Sequence, residues 1–380
     1  MTDDDPVYLD HNATTPVAVE VVEAMRPWLA EGFGNPSSSH VYGQRAKAAL
    51  EAARTQVAEA IGAEPGEILF TSGGTESNNL AIRGLVSAVE GRTHVLTSTI
   101  EHPATVAPCR HLETRGFTVS WAPVDIHGRL RIDDAVAMLR PDTALVTIMH
   151  ANNETGTLQP VTELACAARE LGAYVHTDAA QSVGKVPVDV TELGVHLLSI
   201  AGHKLYAPKG VGALFVRRGT PLAPLVLGAG QERGLRPGTE NVAYAVGLGR
   251  ACELARERLA GAGQRMAALC DRLWRGLAAE IDGLLLNGHP ELRLPNTLNL
   301  SFPRARGADV LERAPGLAAS TGSACHDGLD RPSEVLTAMG VDDARAMGSV
   351  RLSLGRSSTE AHVDTAIAQL ARAFRDVSGP

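Results

Sequence analysis

The 380-residue sequence lacks the features that mark membrane, secreted and nucleic-acid-binding proteins. No apolar run is long enough to span a bilayer, and the acidic start, Met-Thr-Asp-Asp-Asp, has no apolar core typical of a secretion signal. No basic tract occurs, and the net charge of −8 gives no electrostatic support for broad nucleic-acid binding. We therefore expect a cytoplasmic protein that contacts neither a membrane nor nucleic acid directly.

Cysteine is also scarce, with five residues that lie far apart and form no Cys-x-x-Cys pair. An odd count with this spacing argues against a disulfide framework and is typical of a reducing compartment. Four of the five lie in or near predicted helices and are expected to be packed small hydrophobic residues: Cys109, Cys166, Cys252 and Cys270.

The fifth cysteine, Cys325, lies among small residues in Ser320-Thr-Gly-Ser-Ala-Cys-His-Asp-Gly328, a pattern typical of an exposed loop. An exposed thiol is a candidate nucleophile, because the reactive thiolate needs access to its target. An unreactive loop cysteine is the plain alternative. A metal site with His326 and Asp327 is not expected, since adjacent residues rarely converge on one ion and no second cluster is evident.

Lysine occurs only four times, which narrows the search for a catalytic amine. Lys47 lies on a charged helix, and Lys185 and Lys209 lie beside Gly or Pro in turns, so we expect all three at the surface. Lys204 follows an apolar strand and precedes a Pro- and Gly-rich turn. A lysine at the edge of a sheet is a candidate donor for a Schiff base.

The order of predicted elements indicates two domains, as the length also suggests. Strands and helices alternate up to about residue 245, which predicts an α/β domain with a mostly parallel, seven-stranded sheet. Long helices then precede strands near 297–302, 317–321 and 349–354 and a closing amphipathic helix. We expect a large domain over 15–255 and a smaller α+β domain formed by 1–14 and 256–380.

Polar groups follow five predicted strands, and ligands bind at the carboxyl ends of strands in such sheets. These groups occupy the segments 71–77, 100–103, 150–154, 178–181 and 201–204. Gly74 and Thr75 open a helix and suit a phosphate, although an ordinary helix cap has the same pattern. Asp178 is either another cap or the partner of a buried cation such as a pyridinium nitrogen. Each segment alone has a structural explanation, but five together indicate a binding site.

These segments resemble the cysteine desulfurases of the class V aminotransferase superfamily, which have the fold-type I architecture and use pyridoxal 5′-phosphate. The resemblance covers nearly the whole chain. It is carried by Tyr8-Leu-Asp-His-Asn-Ala-Thr-Thr-Pro16, Gly34-Asn-Pro-Ser-Ser38, His40, Phe70-Thr-Ser-Gly-Gly-Thr-Glu-Ser77, Glu101-His102-Pro, His150-Ala-Asn-Asn-Glu154, Asp178-Ala-Ala-Gln181, Gly202-His-Lys204, Arg236-Pro-Gly-Thr239, Ser323-Ala-Cys325 and Arg351-Leu-Ser-Leu-Gly-Arg356. The Ser-Ala-Cys loop and its spacing to Arg351 resemble the type I group, which serves iron–sulfur assembly and thiolation.

The resemblance implies a role in cofactor binding for most of these positions. Lys204 would carry the Schiff base, His102 would stack on the ring and assist proton transfers, and Asp178 would pair with the ring nitrogen. Gln181 would bond the ring hydroxyl. The implied phosphate ligands are Gly74, Thr75, His203 and, from a second subunit of a homodimer, Thr239.

The resemblance also implies how the substrate is handled. Asn153 and Arg351 would hold the carboxylate of L-cysteine. Asn153 would also belong to the residues that bind the cofactor. Cys325 would take the sulfur as a persulfide and pass it to an acceptor protein. That acceptor would serve iron–sulfur cluster assembly, tRNA thiolation or DNA phosphorothioation.

Two positions depart from the family pattern. Ala201 stands where a serine commonly binds the phosphate, so cofactor binding should weaken by about 1 kcal/mol. His326 follows Cys325 where small hydroxyl residues are commoner, and we hypothesise that it tunes the thiol. Another class V aminotransferase, a selenocysteine lyase and a non-catalytic scaffold are the alternatives. The scaffold is disfavoured by the joint presence of Lys204, Asp178, His102 and Cys325.

Overall fold

The computed structural model describes residues 5–321 and 331–378. Within this part of the chain the strands are β1 (Val7–Tyr8), β2 (Ile68–Thr71), β3 (His94–Ser98), β4 (Thr118–Ala122), β5 (Thr143–Met149), β6 (Tyr174–Asp178), β7 (Leu197–Ala201), β8 (Gly212–Val216), β9 (Leu285–Asn287), β10 (Thr297–Ser301), β11 (Leu317–Ala318) and β12 (Ser349–Ser353). The α-helices are α1 (Val19–Ala30), α2 (Val41–Glu59), α3 (Gly74–Asn79), α4 (Leu85–Ala88), α5 (Pro103–Thr114), α6 (Ile132–Ala137), α7 (Val161–Glu170), α8 (Val242–Glu280), α9 (Gly307–Glu312), α10 (Glu334–Ala338), α11 (Asp343–Met347) and α12 (Glu360–Ser378).

A seven-stranded sheet, in the order β2-β8-β7-β6-β5-β3-β4, forms the centre of the molecule. Strand β8 runs antiparallel to both of its neighbours, and the other pairs are parallel. The carboxyl ends of β2, β3, β5, β6 and β7 therefore meet at one edge. The strands β2, β3, β5 and β7 are buried along their whole length, as expected of a parallel sheet covered by helices on both faces, whereas the edge strand β4 is partly exposed. The predicted α/β class and mostly parallel sheet are confirmed.

Two separate groups of apolar side chains lie on the two halves of helix α8. Leu248 and Leu254 pack in the core beside the seven-stranded sheet. Leu269 and Leu273 pack in the core beside the antiparallel sheet β12-β10-β9. No side chain between residues 256 and 265 is buried. The predicted division at residues 255 and 256 falls on this helix and stays a prediction.

The sequence did not predict helix α1 or five of the short elements. Helix α1 begins with the β-branched residues Val19, Val21 and Val22 and contains Pro27, all poor helix formers. The strands β1 and β9 and the helices α9, α10 and α11 are six residues or shorter, too short for a periodic pattern to show. Among the described residues no helix is long and apolar enough to cross a membrane.

Candidate active site

A cavity of about 400 Å³ lies at the carboxyl edge of the seven-stranded sheet. Nine of the predicted site residues line this cavity, although they come from six different loops and strands. These nine are Gly74, Thr75, His102, Asn153, Asp178, Gln181, His203, Lys204 and Arg351. The fold therefore brings together groups that are as much as 277 residues apart in the chain, as the Gly74–Arg351 pair shows.

The remaining sequence-predicted site residues lie elsewhere. Thr239 is exposed and does not line the cavity; its placement in a partner's site stays a prediction. Cys325 and His326 lie outside the described residues. Ser320, five residues before Cys325, lines the cavity, and its backbone pairs with that of Arg351.

The loop after β2 forms a cup that suits a phosphate group. Gly73 has a φ of 151°, which L side chains rarely adopt, and Gly74 begins helix α3. The loop is held by the Ser72 N–H, which donates to Glu76 Oε2 at 2.7 Å. A Cβ added to Gly74 would lie 3.2 Å from the Cβ of Ala201, so the two backbones approach closely. The first N–H groups of a helix have no partner within it and attract anions.

Lys204 places a buried amine against the same cavity. Its Nζ donates to the backbone oxygens of Asn12 and Ala13, the latter at 2.8 Å. Burial, with a smaller contribution from the charge of Arg351, lowers the pKa of Lys204 to about 8. At pH 7 roughly a tenth of such amines are neutral and can act as nucleophile or base. The neighbouring His203 is kept neutral, because burial lowers its pKa to about 4.

Asp178 supplies a carboxylate at the end of β6 and is only 8% exposed. Its Oδ1 accepts from the Ala180 N–H at 2.9 Å, and its Oδ2 accepts from Asn78 Nδ2 at 2.6 Å. Among the described residues no lysine or arginine forms an ion pair with Asp178, so its charge suits a cationic ligand. Sequence reasoning missed Asn78, although its position one turn after Gly74 on the same helix was a usable signal.

His102 lines the cavity and caps helix α5, where its Nδ1 accepts from the Ala104 N–H at 3.1 Å. The preceding residue, Glu101, is buried behind it and accepts from the Met149 N–H. Burial raises the pKa of Glu101 to about 8. Glu101 therefore anchors the His102 loop to strand β5 and adds little negative charge at neutral pH.

Arg351 comes from the middle of β12, in the three-stranded sheet. One terminal nitrogen lies 2.7 Å from Asp10 Oδ1, and the other donates to the backbone oxygen of Asn153 at 3.0 Å. Its Nε has no partner among the described residues. Although only 5% exposed, Arg351 lines the cavity and can offer its planar donor group to a carboxylate.

Asn12 lines the cavity and contacts Lys185, and neither residue was predicted at the site. The expectation that Lys185 lies at the surface is wrong: it is half-buried, and its Nζ donates to Gln181 Oε1 at 2.7 Å and to Asn12 Oδ1 at 2.9 Å. The turn after β6, with Gly184 at a φ of +79°, brings the lysine to these two side chains. The exposure predicted for Lys47 and Lys209 is confirmed.

The described cysteines differ in their exposure. Cys109, Cys252 and Cys270 are buried, as predicted, and burial raises the pKa of each thiol to about 12. These three cannot form a thiolate near neutral pH. The prediction for Cys166 is wrong: it faces solvent, because Leu164 and Ala165 provide the buried face of α7.

The donor set of the cavity fits pyridoxal 5′-phosphate. The cup at Gly74 suits the phosphate, and the buried amine of Lys204 suits the aldehyde. The carboxylate of Asp178, which forms no ion pair with a lysine or arginine in the described part of the chain, suits the pyridinium nitrogen. A family model described as "Aminotransferase class-V" matches residues 7–365.

The chain belongs to the class-V aminotransferase family. Its members depend on pyridoxal phosphate, so the cofactor expected from the sequence agrees with the family. This family assignment also confirms the resemblance that the sequence motifs indicated.

Known relatives are similar over nearly their whole length. The chain is 48% identical over 357 residues to "Cysteine desulfurase IscS" of Dictyoglomus turgidum, which covers 93% of this chain and 91% of the relative. A solved structure titled "NIFS-LIKE PROTEIN" has a TM-score of 0.92 and 38% identity, covering 98% of this chain and 100% of the other. A second structure, "SspA in complex with cysteine", has a TM-score of 0.82 and 38% identity, covering 91% and 98%.

Proposed function

We infer that the chain is a pyridoxal-phosphate-dependent cysteine desulfurase, which converts L-cysteine to L-alanine and retains the sulfur as a persulfide. The observation that carries this inference is the cavity in which Lys204, Asp178 and Arg351 meet. Similar relatives carry the name cysteine desulfurase, and a similar structure holds cysteine.

We propose that the residues of the sheet edge hold the cofactor. Gly74, Thr75 and His203 bind its phosphate, Asp178 faces the ring nitrogen, and His102 lies against the ring. Gln181 contacts the ring hydroxyl. When bound, the cofactor supplies an electron sink that stabilises negative charge at the substrate's Cα.

The buried amine of Lys204 handles the proton of the substrate. With its pKa lowered to about 8, the Nζ atom is neutral often enough near neutral pH to remove the Cα proton. The backbone oxygens of Asn12 and Ala13 hold the amine on the side of the cavity that Arg351 also lines. The same nitrogen can then return the proton.

Arg351 and Asn153 orient the substrate by its carboxylate. The ion pair with Asp10 fixes the guanidinium group within the small sheet, so the group is held ready before substrate binds. A planar fork can bond both oxygens of one carboxylate.

The sulfur is received by Cys325 in our proposal. The Cys325 thiolate attacks the substrate sulfur, a sulfur–sulfur bond forms as the Cβ–sulfur bond breaks, and the electron pair stays with the substrate carbon. Protonation of that carbon gives alanine. This role is supported by Ser320, which lines the cavity and precedes Cys325 by five residues in the sequence.

We further propose a homodimer in which Thr239 of one subunit reaches the phosphate site of the other, and a protein acceptor for the persulfide. A reducing cytoplasm suits the formation and transfer of the persulfide, because free thiols persist there. The large domain over 15–255 would then bind the cofactor, and the smaller domain would carry Cys325.

Replacement of Cys325 tests the proposed function. We expect Cys325→Ser to keep the visible absorbance of bound cofactor and to lose sulfide release from cysteine under reducing conditions by at least roughly 10³-fold, because the nucleophile is gone. Cys166→Ser is the matched control, since Cys166 is the exposed cysteine among the described residues, and it should behave as wild type. Wild-type sulfide release by Cys325→Ser would assign sulfur transfer to another group; formation of pyridoxamine phosphate with a keto acid would indicate an aminotransferase.

A further inference from the structure

Lys185 is a half-buried lysine next to the cavity, and the proposed reaction does not use it. It does not line the main cavity but lies behind Gln181, which does. Its Nζ contacts two amide oxygens, Gln181 Oε1 at 2.7 Å and Asn12 Oδ1 at 2.9 Å. A buried amine with such partners has a defined place in the structure rather than a solvated one.

The contacts of Lys185 decide which way the Gln181 amide points. A side-chain amide has an oxygen that accepts and a nitrogen that donates, and the two ends exchange by rotation. Lys185 donates to the oxygen, while the nitrogen donates to the backbone oxygen of Asn12 at 2.9 Å. The amide nitrogen has a second N–H, and Gln181 lines the cavity.

Asn12 links this arrangement to the catalytic amine. Its backbone oxygen accepts from both Gln181 and Lys204, and its side-chain oxygen accepts from Lys185. Asn12 is 1% exposed and its Nδ2 donates to Thr297 at 2.9 Å, so it cannot easily turn away. Lys185, Asn12 and Gln181 therefore form one buried network beside Lys204.

We propose that Lys185 is a positioning residue that keeps the N–H side of the Gln181 amide toward the cofactor. The inference rests on the proposed function, because it takes Gln181 as the ligand of the ring hydroxyl. A donor facing that hydroxyl stabilises its ionised form and lowers the pH at which the bound cofactor's absorbance titrates. Without Lys185 the amide can rotate and present its oxygen, which favours the protonated form.

The protonation of Lys185 agrees with this role. Burial, together with the charges of Lys204 and Arg351, holds the pKa of Lys185 well below its ordinary value. The two amide oxygens that the amine contacts, Gln181 Oε1 and Asn12 Oδ1, each accept one of its N–H groups. Lys185 thus acts through these hydrogen bonds.

The test is a pH titration of the visible absorbance of the purified, cofactor-loaded enzyme. We expect Lys185→Met to keep the absorbance, to move the midpoint upward by about half a unit to one unit, and to weaken cofactor binding several-fold. Lys185→Gln, which retains a neutral donor, should restore most of the wild-type midpoint. Lys209→Met is the matched control because Lys209 is an exposed lysine; its midpoint should equal that of wild type.

A double-variant cycle shows whether Lys185 acts through Gln181. In a Gln181→Leu background, Lys185→Met should leave the midpoint where Gln181→Leu alone puts it. Independent, additive shifts would overturn the inference, and so would equal shifts in Lys185→Met and Lys185→Gln. If Lys185→Met does not fold, Lys185→Gln and its combination with Gln181→Leu still decide the question. A wild-type enzyme that binds no cofactor would overturn the proposed function and this inference together.

Discussion

The two sheets contribute to the cavity in different ways. The seven-stranded sheet supplies groups from loops at strand ends, such as Lys204 and Asp178, which are placed by the convergence of parallel strands. The three-stranded sheet supplies Arg351 from the middle of a strand, fixed by its ion pair with Asp10. We propose a division of labour, in which the large sheet binds the cofactor and supplies Lys204 and Asn153, while the small sheet adds Arg351 for the carboxylate of the substrate.

The strongest test of this division is Lys204→Ala. We expect loss of the visible absorbance of covalently bound cofactor and a fall in cysteine turnover of roughly 10³-fold or more, since the amine that binds the aldehyde and moves the proton is gone. Absorbance spectra and alanine production check this. Lys209→Ala is the control at a nearby exposed lysine. Persistence of the band would place the covalent bond on another lysine, and the nearest candidate is Lys185.

An intermediate effect is expected for Arg351→Lys, which keeps the charge but removes the planar fork. The loss of one charge-assisted hydrogen bond to the substrate, about 2 kcal/mol, corresponds to a roughly 30-fold lower kcat/KM, carried mainly by KM. The cofactor's absorbance and affinity should not change. Arg372→Lys, at an exposed position of α12, is the control. A matching loss of cofactor affinity in Arg351→Lys would break the proposed division.

The smallest effect is expected for Ala201→Ser at the phosphate cup. The Cβ of Ala201 lies close to the Gly74 backbone, so a hydroxyl group there can reach a phosphate oxygen. One neutral hydrogen bond is worth about 1 kcal/mol, or roughly fivefold tighter cofactor binding. Equilibrium titration of the apoenzyme with pyridoxal phosphate measures it, with Ala319→Ser, a half-buried residue outside the cup, as control. KM for cysteine should not change; an altered KM with unchanged cofactor affinity would contradict the assignment of this position.

The sequence predicted the edge of the large sheet well, because an apolar strand followed by polar residues is a local pattern. Lys204, Asp178 and Gln181 could each be found in this way. Lys185 could not be predicted in this way, because a lysine beside a glycine in a turn is usually solvated. Only the three-dimensional path of that turn brings it to Gln181.

Contacts between residues that lie far apart in the chain could not be predicted from local sequence patterns either. The partners Asn12 and Asp10 lie in a segment whose position depends on contacts with β12, more than 330 residues away in the chain. Arg351 was found through its motif and the family resemblance, because nothing in an alternating strand tells an arginine in a cavity from one in solvent. The exposure of Cys166 was missed because its helix has apolar residues on both sides of it.

Helix α8 has a consequence for how the molecule can move. Its 39 residues form a rod of roughly 58 Å that is anchored in both apolar cores. A wide opening between the cores would require this rod to bend or break within residues 256–265, where no side chain is buried. We therefore expect the two cores to move as one body, so that an acceptor of the proposed persulfide would enter at the mouth of the cavity.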